Sequence, residues 1–241
     1  MTDLDAREQA VLALLDRWPW TLGGVIIGGY ATLAYGPPRY SDDVDVVIPT
    51  PAAPRVRAWL RSEGLTVSKR SVPNSENFDG QVERYQLSPI TLDLFADAVR
   101  DRDAKVDIPE RWISKDAVRQ RLVTISGRTS IEVPIARPAA IWALKLQAGR
   151  PRDLSDLFAI SETPFDASEV EALFRAVTSK SLVAKLTAVR LMLGSPHLYE
   201  DSLSRRQLGK LSDPGNRRKW ERFVSTVNRI IEPLESPRGT N

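Results

Sequence analysis

The sequence predicts an α/β chain of the α+β type: a mixed β-sheet flanked by helices over residues 1–136, followed by a helical bundle over 137–241. Three observations carry this reading. Strand and helix alternate through Ile48 and a helix over Ala52 to Glu63, further runs of strand length continue as far as Val133, and everything from Pro138 onward has helical character, with prolines and glycines supplying turns and breaks.

The elements follow in order. Asp3 to Arg17 reads as an amphipathic helix with Leu4, Val11, Leu12, Leu14 and Leu15 as its apolar residues. Val25-Ile26-Ile27 is a buried strand, Gly28-Gly29 a turn, and Tyr30 to Tyr35 a short helix closed by Gly36-Pro37-Pro38. Val44, Val46, Val47 and Ile48 favour a pleated, buried setting until Pro49 and Pro51 stop the run. A helix over Ala52 to Glu63 follows, then strands at Leu65 to Lys69, Val82 to Leu87 and Ile90 to Phe95, with turns at Gly80 and Ser88-Pro89. Arg121 to Gly127 and Thr129 to Val133 read as a hairpin, and the helical part breaks near Pro164, Gly194 to Pro196 and Pro214-Gly215.

Composition narrows the chemistry. At 241 residues and 42% hydrophobic, the chain can bury a substantial core. It has no cysteine, which excludes disulfides, thiolate metal sites and a cysteine nucleophile. The single histidine, His197, lies in a loop-like stretch, and no Gly-x-Ser-x-Gly elbow is present, so a Ser-His-Asp hydrolase is not expected. Trp18 through Pro38 carries no charge, but its glycines and prolines argue for a buried strand and helix rather than a membrane span. Asp3, Asp5, Arg7 and Glu8 stand where a signal peptide would have its apolar core, so the expected location is the cytoplasm, away from membranes.

The informative motif is Asp43-Val44-Asp45 within that third apolar run. On a strand, residues i and i+2 share a face at roughly 7 Å, so both carboxylates can grip one hard cation. Buried carboxylates are costly without a counter-charge, and Mg²⁺ suits a site of one or two carboxylates completed by water and substrate phosphates, with Mn²⁺ as the alternative ion. The structural alternative is that Asp42, Asp43 and Asp45 form a solvated strand end. Thirteen residues separate Gly28-Gly29 from Asp43, and a glycine turn at a helix start lets phosphate approach the backbone closely.

Ile27-Gly28-Gly29 and Asp43-Val44-Asp45 together resemble the nucleotidyltransferase superfamily that includes DNA polymerase β, whose third carboxylate lies on a later strand. That acid is best placed at Asp93 in Ile90-Thr91-Leu92-Asp93-Leu94-Phe95, ahead of Asp97, which lies past the apolar run. The stretch from Pro138 to Leu157 resembles the AbiEii-type toxin branch, with its lysine helix followed by an Arg, Asp and Asp segment. The resemblance covers about residues 20–160 and implies active-centre roles for Lys145 and Asp153, with Arg152 and Asp156 behind them. By its chemistry Lys145 could meet a phosphate and Arg152 could pair bidentately with an acid or phosphate, while Asp153 could equally be a helix N-cap.

The implied activity is Mg²⁺-dependent transfer of a nucleoside monophosphate from an NTP to an acceptor hydroxyl. Asp43, Asp45 and Asp93 would hold metal, and Gly28, Gly29, Lys145, Arg152 and Asp153 would bind nucleotide. The implied acceptor is an RNA end such as that of tRNA, and the implied partner is a cognate antitoxin. Transfer to a small aminoglycoside-like molecule or a protein side chain is the alternative, and a catalytically silent nucleotide-binding or antitoxin-binding module is the alternative of another class. Charge bears on the acceptor: from Ser181 onward eleven basic residues face six acidic ones, a net +5 within an overall +3. The tightest cluster, Arg217-Arg218-Lys219 beside Trp220, could grip RNA phosphates; the plainer reading is a solvated helix face with Trp220, Phe223 and Val227 packed inward.

Overall fold

The computed structural model describes residues 3–71, 81–101, 103–206 and 213–235. Gly80, Lys210 and Arg238 lie outside them. The architecture is the expected one, a mixed sheet with helices followed by a helical bundle, and it divides into two compact units, Met1–Arg100 with Asp107–Arg137, and Asp101–Val106 with Pro138–Asn241. Among the described residues no helix is long and apolar enough to cross a membrane.

The first unit begins with helix α1 (Asp3–Asp16), strand β1 (Val25–Ile27), the short helix α2 (Gly28–Leu33), strand β2 (Val44–Ile48) and helix α3 (Ala53–Ser62). Strands β3 (Thr66–Ser71), β4 (Gln81–Leu87) and β5 (Ile90–Ala96) follow, then β6 (Ala98–Asp101), β7 (Val106–Pro109), the single-turn helix α4 (Glu110–Ile113), β8 (Val118–Val123) and β9 (Ser130–Ile135). The seven-stranded sheet has the order β3-β4-β5-β2-β1-β9-β8, and β6 and β7 form a separate two-stranded sheet. Pairing is parallel for β2 with β5 and β1 with β9, and antiparallel elsewhere in the large sheet.

Burial explains the order. In β2, Val44, Val46, Val47 and Ile48 are fully buried, as a central strand covered on both faces requires. Val56 and Leu60 of α3 and Leu12, Leu14 and Leu15 of α1 bury the apolar faces of their helices, and Trp18 packs edge-on against Trp59 at 5.2 Å. The strands β6 and β7 went unread in the sequence, and the bounds of one expected hairpin shift. β6 and β7 lie beyond Asp97, which adopts a left-handed φ of 71° while its N–H donates to Ile48 O and its carbonyl accepts from Glu110 N. The β8–β9 hairpin starts three residues before the expected Arg121, because its turn is built by Thr124, whose N–H donates to Thr129 O and whose carbonyl accepts from Gly127 N.

The second unit holds α5 (Pro138–Ala148), α6 (Pro151–Ala159), α7 (Ala167–Ala176), α8 (Lys180–Leu193), α9 (Pro196–Arg206) and α10 (Pro214–Glu235). Helix α5 is buried on nearly every side, through Ala139, Ala140, Ile141, Trp142, Ala143 and Leu146, and so forms the centre of the bundle. Trp142 stacks on Phe165 at 4.6 Å, and Phe158, Trp220 and Phe223 form an aromatic cluster at 5.1–5.8 Å separations. One boundary carried an unread signal: Ser179 caps α8, its hydroxyl accepting from Leu182 N at 3.0 Å.

Candidate active site

Strand register builds the site. Asp45 on β2 lies opposite Asp93 on β5, Asp93 lies opposite Arg84 on β4, and Ile27 on β1 lies opposite Asp45. Side chains directly opposite one another across a sheet point to the same face, so Arg84, Asp93 and Asp45 form one row, and Asp43 joins it by strand alternation. One carboxylate oxygen from each of Asp43, Asp45 and Asp93 lies within 4.8 Å of the other two. The donor set is three hard oxygen ligands, one from each acid, so the residues could hold a divalent cation such as Mg²⁺. The Asp93 side chain is 12% exposed, whereas that of Asp43 is 37% exposed, which leaves the cluster open on Asp43's side.

The glycines stand at the end of the same row. Gly28 follows Ile27 with φ +66°, and a Cβ there would sit 1.9 Å from Asp45 Oδ2. A Cβ on Gly29 would sit 2.2 Å from Ser41 Oγ and 2.9 Å from an Arg39 guanidinium nitrogen. Gly28 therefore needs glycine to let the turn pass Asp45, Gly29 lies tight against Ser41 and Arg39, and helix α2 starts on the glycines themselves, two residues before the expected Tyr30. Gly28→Ala combines a strained φ, about 1–2 kcal/mol, with a displaced Asp45, and misplacing a catalytic group by about 1 Å can cost about 100-fold in rate. The variant should lose about that factor in turnover while keeping its far-ultraviolet circular dichroism; an unchanged rate would show that the turn tolerates displacement.

Arg84 was missed in the sequence. Its Nε donates to Asp93 Oδ1 at 2.7 Å, and its Nη2 donates to Asp93 Oδ2 at 2.5 Å and to Asp43 Oδ2 at 3.3 Å. The hydrogen bond with Asp93 raises its pKa above the ordinary arginine value against the opposing effect of burial, with the three acids adding to the rise. A signal did exist: a hairpin turning at Ser88-Pro89 sets Leu87 opposite Ile90, and hence Arg84 opposite Asp93.

The remaining residues singled out in the sequence lie in the second unit. Lys145, Asp153 and Asp156 come together there, all buried, with Lys145 Nζ at 2.5 Å from Asp156 and 3.3 Å from Asp153. Asp153 is not the N-cap of α6, which is Arg150; instead Arg150 Nε donates to Asp153 at 2.5 Å, and Arg152 is exposed. Burial pushes the Asp153 carboxyl up, but Lys145 and then Arg150 outweigh it and hold the group below its usual range. In the basic cluster Arg217 and Arg218 are exposed, whereas the Lys219 side chain is 14% exposed, with Nζ 5.4 Å above the Phe158 ring and 3.5 Å from Glu162. Trp220 sits in the aromatic cluster.

A family model described as the nucleotidyl transferase AbiEii toxin of a type IV toxin–antitoxin system matches residues 19–236. A comparison with curated proteins found no match. Among solved structures, a provisionally assigned nucleotidyltransferase from H. pylori is 20% identical with a TM-score of 0.36, over 95% of each chain. ANT(2")-Ia in complex with adenylyl-2"-tobramycin is 16% identical with a TM-score of 0.41, over 92% of this chain and 96% of that one. The STING-associated CdnE c-di-GMP synthase from Capnocytophaga granulosa is 9% identical with a TM-score of 0.27, over 97% and 82%.

Proposed function

This chain belongs to the AbiEii nucleotidyl transferase toxin family, and from that premise we propose that it transfers a nucleoside monophosphate from an NTP to a hydroxyl at an RNA end, with tRNA as the acceptor. The observation that carries the reaction class is the row of Asp43, Asp45 and Asp93 beside the Gly28-Gly29 turn. We place the catalytic domain in residues 1–136 and a helical domain in 137–241.

In this reading Asp43, Asp45 and Asp93 hold one or two Mg²⁺ ions, Mn²⁺ being the alternative. Bound there, the metal neutralises phosphate charge and lowers the pKa of the acceptor hydroxyl. The backbone at Gly28 and Gly29 receives the triphosphate, since no Cβ bars its approach. The acceptor oxygen bonds to the α-phosphorus in line, the bond from that phosphorus to the β-bridging oxygen breaks, pyrophosphate leaves, and the hydroxyl proton passes to solvent. Arg84 engages both oxygens of Asp93, so this acid would act as a metal ligand only once the guanidinium has moved aside. The protein's contribution is alignment and charge.

The acceptor assignment is supported by exposed Arg217 and Arg218 on the stretch from Ser181 onward, whose net charge is +5. Lys219 is engaged within its own unit. A small-molecule or protein hydroxyl is therefore the second reading, and a cognate antitoxin is the expected protein partner. The test is incubation of the purified chain with total tRNA, Mg²⁺ and each labelled NTP, with Asp43→Ala/Asp45→Ala as control. Label in tRNA from the unsubstituted chain alone supports the reading and names the nucleotide. NTP binding without label in tRNA moves the acceptor to a small molecule or protein, and NTP binding without pyrophosphate release under any acceptor points to the silent module.

A further inference from the structure

The first unit places a fixed positive charge inside its own acidic row. Arg84 spans Asp93 with a two-pronged contact and reaches Asp43 with the same Nη2. A guanidinium stays charged at any pH at which the protein is folded, so it can release Asp93 only by moving. Its side chain is 39% exposed against 12% for Asp93, so the arginine lies on the open side of the pair. Its planar fork matches a phosphate as well as a carboxylate, which gives it a second partner of equal geometry when a triphosphate arrives.

We propose that Arg84 is a positioning residue that competes with a divalent cation for Asp93 and moves to a nucleotide phosphate, so that metal and nucleotide bind as a coupled pair. The proposal rests on the metal-site reading above. The competition is for the same carboxylate: both Asp93 oxygens are engaged by the guanidinium, so whichever one completes the three-acid cluster already accepts an arginine hydrogen bond. A nucleotide that draws Arg84 away frees Asp93 for metal, and by linkage a bound metal favours nucleotide to the same degree. Metal without nucleotide must bind against the arginine, which keeps the centre from filling before substrate is present.

The test is Mn²⁺ titration of the full chain, read by the electron paramagnetic resonance of free Mn²⁺, with and without the α,β-methylene analogue of each NTP in turn. Without nucleotide, Arg84→Gln should bind Mn²⁺ about tenfold more tightly than the unsubstituted chain, the size expected for hydrogen bonds to a charged group. Nucleotide analogue should tighten Mn²⁺ binding in the unsubstituted chain and do so far less in Arg84→Gln. Equal or weaker Mn²⁺ binding by Arg84→Gln overturns the proposal and leaves the metal site standing. Mn²⁺ binding no tighter than in Asp43→Ala/Asp45→Ala overturns both. Should Arg84→Gln lose its circular dichroism, Arg84→Lys replaces it, keeping the charge without the fork, and is expected to give a smaller tightening of the same sign.

Discussion

Asp45→Asn is expected to abolish nucleotidyl transfer, by about 10³-fold or more, without unfolding the chain. The substitution keeps the shape of the side chain and removes the charge at the centre of the row, between Gly28 and Asp93. Its effect on stability runs opposite to its effect on rate. Oxygens of three carboxylates crowd within 4.8 Å, and the guanidinium of Arg84 contacts Asp93 and Asp43, so removing the Asp45 charge relieves repulsion and leaves those two contacts in place. In chelator the melting temperature should therefore stay the same or rise, and the stabilisation that Mn²⁺ gives the unsubstituted chain should largely disappear. A folded Asp45→Asn chain with undiminished pyrophosphate release would remove Asp45 from the reaction.

Local pattern sufficed for that row because Asp45 and Asp93 interrupt apolar strands, a conflict between burial and charge that a short window of sequence displays, and Asp43 stands two residues before Asp45 at the strand's entry. Gly28 was legible for the same reason, as a break between an apolar strand and a helix. Arg84 was not, because nothing local marks it: it alternates normally in β4, and its meaning depends on pairing with a strand whose register had to be worked out from the turn. Lys145 and Asp153 were legible as a motif but not as an environment. Their spacing reads as an ordinary pair of surface helices, and only the packing of α6 on an all-round buried α5 makes them interior. The family match extends to residue 236, past the point near residue 160 where the resemblance faded, since helices of a bundle preserve burial pattern with little motif to read.

That environment decides what Lys145→Met should do. Considered as a free phosphate-binding charge, Lys145 could be removed with loss of turnover and an intact fold. The structure instead puts its ammonium between two carboxylates that are 3% and 2% exposed, joining α5 to α6. Removing one partner from a buried ion cluster leaves charge that water cannot reach, at a cost of about 3–5 kcal/mol. Lys145→Met should therefore lower the urea midpoint by that equivalent, and Lys145→Met/Asp156→Leu should recover part of it by replacing both ends with apolar groups. A pH series checks the same network. Asp153 titrates below its unfolded value of about 3.9, so its contribution is present above that pH and is lost as pH falls through the lower folded value. The unsubstituted chain should lose stability from this source below about pH 4, and Lys145→Met should show a smaller loss there. If Lys145→Met instead keeps its urea midpoint and loses only turnover, the lysine's task lies with the substrate, because a change in rate at constant stability is something a merely structural ion cluster does not produce.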